Sequence, residues 1–129
     1  MGDLSEHFSR HEFGCRGPNC CGHSAPVDSR LIDALEDLRE LAGDRPLSIN
    51  SGFRCRRYNA QLENSSPRSQ HCLSRAADVK VPEGLSIDRF AELADEVPAF
   101  HLGGIGVYRG DGFVHLDVRS TEPRRWEFD

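Results

Sequence analysis

The chain lacks any apolar run close to the roughly 18–20 residues that cross a bilayer as a helix, so no helical membrane span is expected. Its opening residues, MGDLSEHFSR, contain no apolar core of a secretory signal. They begin Met-Gly but lack the Ser/Thr at the position a myristoylation signal prefers. A basic excess is missing too. The net charge is −5 over 129 residues, and a phosphate-binding surface needs concentrated cations, so no nucleic-acid partner is expected. The short clusters FRCRRY and EPRRW do not reverse that balance. No repeat or low-complexity stretch appears. Five cysteines, an odd count, exclude complete pairing within the chain, and with no C-x-x-C pair a redox role has little to stand on.

What is present suits one domain, 1–129, with one core and an ordinary globular composition of 37% hydrophobic residues. Residues 1–26 or so read as an irregular, Cys-rich lead in which Phe8 and Phe13 are candidate anchors. From Asp28 to Ala42, Leu31, Ile32, Leu35, Leu38, Leu41 and Ala42 recur at helical spacing; Asp28 is the candidate N-cap and Gly43 the stop. PLSINSGF reads as a strand ending in a tight turn, RRYNAQLE as a short helix, NSSPRSQ as loop, and AADVKVP as a mostly buried strand. Ser86 opens a second helix, with Pro98 as its terminator. GGIGVY and FVHLDVR are strands joined by the turn RGDG, and the one tryptophan, in EPRRWEFD, is expected to pack back on the body. This order implies an α+β fold, a small mostly antiparallel sheet with helices to one side.

Three stretches carry chemistry. In CRGPNCCGH, residues Cys15, Cys20, Cys21 and His23 can be read as a structural zinc site, though the spacing departs from the usual C-x2-C. A disulfide from Cys15 to Cys20 or Cys21, or free thiols in a loop, are equally open readings. In FVHLDVR, strand alternation sends Phe113, His115, Asp117 and Arg119 to one face and Val114, Leu116 and Val118 to the core. In SQHCLSRAADV, His71 and Asp78 lie seven residues apart. A carboxylate flanked by apolar strand residues needs a partner, either an arginine or a metal ion. Alone, that stretch reads more simply as a loop entering a buried strand. Together, His71, Asp78 and His115 supply two imidazoles and a carboxylate, the ligand set that leaves a tetrahedral Zn2+ one open position. Zinc held so would acidify water and polarise a carbonyl.

SQHCLSRAAD resembles the S-x-H-x-x-G-x-A-x-D motif of the zinc D-Ala-D-Ala carboxypeptidase/dipeptidase family, which shares its fold with the hedgehog signalling domain. INSGFRCRRYNAQL resembles that family's SGYR segment, while GGIGVY, GFVHLDVR and RRW resemble the C-terminal part of its short bacterial and phage branch, and FSRHEFGC that branch's lead. The resemblance implies a hedgehog/DD-peptidase-like fold and one catalytic zinc held by His71, Asp78 and His115. It implies further that Arg54 stabilises an oxyanion or holds a substrate carboxylate, and that Ser69 and Gln70 contact substrate. The implied activity is hydrolysis of peptidoglycan peptides by a D-Ala-D-Ala carboxypeptidase-like or endolysin-like enzyme. A monomer is expected, made in the cytoplasm and released to the wall by a phage-type or other route.

The chain departs from the family pattern at three points. The motif's glycine is Ser74, Cys72 sits beside a ligand, and the positions where many relatives carry the general base, three and two residues before the last ligand, are Gly112 and Phe113. Asp117, on the same strand face as His115, is placed either to lie near a zinc-bound water or to support the ligands from behind; Asp111, in the turn, is the other candidate replacement, and His101 is a third. If none serves, the alternative is a zinc-containing binding module for wall peptides or a protein partner, without catalysis.

Overall fold

The structure, a computed structural model, describes residues 5–8, 13, 27–51, 75–119 and 121–129. The predicted helix RRYNAQLE, the loop NSSPRSQ and all five cysteines lie outside the described residues. Helix α1, Ser29–Leu41, forms where the apolar period predicted it, and Asp28 caps it by accepting from the Arg30 N–H at 2.9 Å. It is followed by β1 (Ile49–Ser51), β2 (Ala76–Lys80), α2 (Ile87–Asp95), α3 (Pro98–His101), β3 (Gly104–Tyr108), β4 (Phe113–Asp117) and β5 (Arg124–Phe128). Ser86 caps α2 as expected. Pro98 does not simply terminate that helix: it opens α3, since a proline's missing N–H and fixed φ suit the first helical turn.

The five strands form one sheet in the order β1-β2-β4-β3-β5. All pairs are antiparallel except β3 with β5. The parallel edge strand β5 is a strand that pattern reading left as a tail. Its side chains are mostly exposed, so it has no hydrophobic alternation to announce it. It is held by its ladder to β3 and by Arg125, whose guanidinium bonds the carbonyls of Gly103 and His101 and the Asp95 carboxylate at 2.7–2.9 Å.

The two sheet faces differ sharply. Val114 and Leu116 of β4, Ala77 and Val79 of β2 and Ile105 of β3 bury themselves against Leu31, Leu35 and Leu38 of α1, Phe90 of α2 and Phe100 of α3. Phe8 and Phe13 join the same core, their rings 6.2 Å apart, as the reading of the lead anticipated. The lead is also tied to α1 by Glu36, which accepts from the His7 N–H at 2.8 Å. The opposite face carries Asp78, His115, Asp117, Gly104, Gly106, Tyr108, Trp126 and Phe128, aligned by the pairing register. With helices absorbing the apolar face, every polar residue of β4 is left on the other.

Arg30 beside Asp28 holds its carboxyl below the ordinary value, against the opposing effect of burial, with Arg75 assisting. A depressed carboxylate stabilises the fold above its unfolded pKa of about 3.9, and that contribution disappears as pH falls through the lower folded value. Asp28→Ala is expected to cost about 1 kcal/mol at neutral pH in urea denaturation, with the difference from wild type vanishing in acid.

Candidate metal centre

β4 is the middle strand of the sheet, with β2 on one side and β3 on the other. Asp78 of β2 pairs directly with His115 of β4, and Gly106 of β3 pairs with His115 from the other side. Residues paired across adjacent strands put their side chains on one face, so register alone brings Asp78 and His115 together. The Asp78 Oδ1 lies 3.1 Å from the His115 Nδ1. On the other side of the ring, His115 Nε2 is 2.8 Å from Asp117 Oδ2. The imidazole is therefore gripped at both nitrogens by carboxylates, with only 6% of the residue exposed.

Asp117 is fully buried. Its Oδ1 accepts from the Gly104 N–H at 2.8 Å and from the Arg119 backbone N–H and Nε at 3.1 and 2.9 Å; its Oδ2 accepts from Arg119 Nη2 at 2.7 Å as well as from His115. Burial pushes the Asp117 carboxyl upward, but Arg119 and then His115 outweigh it and hold it well below the usual carboxylate range. Burial likewise opposes charge on His115, and the two carboxylates, Asp117 first, more than offset it and raise its pKa. Arg119 is raised by its bond to Asp117.

Glycine makes room for this arrangement. A Cβ on Gly104 would overlap the Asp117 carboxylate, and one on Gly106 would overlap the Trp126 indole. The indole consequently lies against the site: its ring centroid is 4.9 Å from that of His115, the Arg119 guanidinium sits 5.7 Å over it, and its Nε1 donates to the Tyr108 hydroxyl at 3.0 Å. Trp126 does pack back on the body, as expected, but onto the polar face and beside a predicted ligand.

The donor chemistry fits a cation. A carboxylate accepts only, and a neutral imidazole has one N–H. With that N–H given to Asp117, a neutral His115 turns the Nδ1 lone pair toward Asp78 Oδ1, and the place between them suits either a proton, which the raised pKa of the ring favours, or a shared cation. Ligands about 2.0–2.1 Å from a tetrahedral Zn2+ stand roughly 3.3 Å apart, close to the observed 3.1 Å. Among the described residues no complete three-ligand cluster forms, and the third predicted ligand, His71, lies outside them, as do Arg54, Ser69, Gln70 and His23.

The three general-base candidates have different settings. Asp117 faces the site as foreseen, yet its oxygens carry five donors and no solvent reaches it, so it has nothing left with which to take a proton from water. Asp111 is exposed in the β3–β4 turn, four residues and on the order of 10 Å from His115 at strand spacing. His101 is at the end of α3, exposed and 3.0 Å from Asp95 Oδ1, which also pairs with Arg125. The absent acid at position 112 has a backbone reason: Gly112 sits at φ 71°, a left-handed turn conformation that side chains resist. Sequence reading passed over Arg119 and Trp126 as site residues. The signal for Arg119 was its alternation with His115 and Asp117; for Trp126 it was the Gly106 that clears its place.

A sheet whose centre sets a carboxylate beside an imidazole, with a second carboxylate on the imidazole's far nitrogen, has donors suited to a metal site. The chain belongs to the peptidase M15 family, whose model matches residues 6–117. That family is zinc-dependent, and the α+β fold with its mostly antiparallel sheet agrees with the hedgehog-like peptidase architecture. No curated protein matches the chain.

Because the indole occupies the space above Gly106, Gly106→Ala is expected to displace it. The emission of the only tryptophan should move to longer wavelength, and overpacking should lower stability by about 1–3 kcal/mol in denaturant titration.

Proposed function

We propose that the chain is a zinc peptidase that cleaves peptide bonds in peptidoglycan peptides, in the manner of a D-Ala-D-Ala carboxypeptidase or an endolysin. His71, Asp78 and His115 are the ligands in this reading. The observation that carries it is the 3.1 Å approach of Asp78 Oδ1 to His115 Nδ1 at the centre of the sheet, in a chain of the M15 family.

A bound Zn2+ supplies Lewis-acid activation of the scissile carbonyl and of water. Asp78 and His115 would hold it on the sheet itself, where strand pairing sets the positions of these two ligands. Arg54 is proposed to bond the developing oxyanion or a substrate carboxylate, its planar fork being suited to two oxygens; Ser69 and Gln70 are proposed to contact the substrate backbone. Asp117 orients His115. The proton acceptor is to be sought outside Asp111 and Asp117.

A second reading keeps the metal and the wall-peptide partner but not the catalysis. It is favoured by one observation: Asp117, the acid that touches His115 opposite Asp78 among the described residues, is sealed by its own hydrogen bonds.

Purified peptidoglycan incubated with the zinc-loaded protein should release new amino termini, and His115→Ala and Asp78→Ala should abolish the release together with zinc retention. One equivalent of zinc with no hydrolysis of any wall peptide would establish the binding module instead. His71→Ala with unchanged metal content would refute the ligand set.

A further inference from the structure

His115 has two nitrogens that can serve as ligands, and the side chain can reach different partners by rotating its ring. Four contacts determine which nitrogen faces Asp78. Nε2 is 2.8 Å from Asp117 Oδ2. Asp117 is gripped by Arg119 through the side-chain bonds at 2.7 and 2.9 Å and the backbone bond at 3.1 Å. The Arg119 guanidinium in turn lies over Trp126, at 5.7 Å, and Trp126 closes the circuit by lying against the His115 ring at 4.9 Å. The circuit His115–Asp117–Arg119–Trp126 returns on itself, and its outer edge is held where the indole Nε1 donates to Tyr108. Each member is kept in place by two others, and two glycines, Gly104 and Gly106, make room for it.

We propose that Arg119 and Trp126 are positioning residues for the metal ligand His115, fixing the ring so that Nδ1 is the nitrogen presented beside Asp78 and Nε2–H is spent on Asp117. This rests on the zinc reading above. Arg119 does so through Asp117: a carboxylate held on both oxygens cannot swivel away from Nε2, and the guanidinium fork that holds it lies on the Trp126 side of the site, 5.7 Å from the indole centroid. Trp126 does so by contact, blocking the space into which the imidazole would turn. A lysine at 119 would keep the charge but not the planar fork that bonds both Asp117 oxygens, so the lysine variant separates fork from charge.

The test uses the full chain with selectively 15N-labelled histidine. Zinc affinity is measured by competition with a chromophoric chelator, and the ligated nitrogen of His115 is read from two-bond 1H–15N correlations of the zinc-loaded protein. Wild type is expected to show His115 ligated through Nδ1 with a protonated Nε2. Arg119→Gln and Arg119→Lys are each expected to bind zinc about 10–100-fold more weakly, the range for loss of a ligand's outer partner, while thermal unfolding of the metal-free proteins monitors the fold. Trp126→Phe should show a smaller loss in the same direction. Should Arg119→Gln fail to fold, Arg119→Lys and Trp126→Phe carry the measurement. Ligation through Nε2 in wild type, or folded Arg119 variants with wild-type zinc affinity and the same ligated nitrogen, would overturn the positioning role while leaving the zinc reading intact. A wild-type protein that binds no zinc would overturn both.

Discussion

The site depends on one buried imidazole held between two carboxylates. His115 is on the central strand of the sheet, and neither Asp78 nor Asp117 could be moved without changing a strand register or a strand face. Buried carboxylates are costly unless their charge is compensated. Asp117 is compensated by Arg119 and the Gly104 N–H. Asp78 faces the imidazole at a separation suited to sharing a cation with it. The whole polar face of the sheet is arranged around meeting those two demands, including a pair of glycines on β3 that leave space for a carboxylate and an indole.

The division of labour between the sheet faces follows from the same constraint. Helices α1, α2 and α3 cover the aliphatic face, with Leu116 and Val114 fully buried beneath them, so the core stabilises β4 without competing for its polar side chains. A ligand on a central strand flanked by two paired strands has a rigid backbone under it, which is what preorganised metal ligation needs. β5 extends that face beyond β3 and brings Trp126 and Phe128 to it. The edge strand therefore contributes to the site although it contributes little to the core.

Much of the framework was legible because its signals are local. Leucine spacing and an Asp cap announced α1, Ser86 announced α2, and alternation in FVHLDVR separated His115 and Asp117 from Val114 and Leu116 before any coordinates. β5 was not legible, because an edge strand with exposed side chains has no apolar period; its ladder to β3 and the Arg125 clamp, both long-range, hold it. Pro98 carried a boundary signal that reads equally as stop or start, and only the packing of α3 resolved it. For Asp117, strand facing gave direction but not occupancy, so its two possible roles, beside a zinc-bound water or behind the ligand His115, were not separable in the sequence. Five donors converge on that carboxylate, and those from Gly104 and His115 come across the sheet or along the strand in ways that spacing does not reveal.

By itself the sequence determined the family, through motifs in a family-like order on elements whose periodicity could be read residue by residue. The tertiary structure alone decided the surroundings of the polar residues on those elements. Strand pairing chose Asp78 as the neighbour of His115, burial and five donors enclosed Asp117, and a glycine on the adjacent strand let a distant tryptophan reach the same ring. The physical reason is range. Periodicity and capping are properties of a few consecutive residues, whereas the charge state and freedom of a buried carboxylate depend on every donor that the fold brings to it.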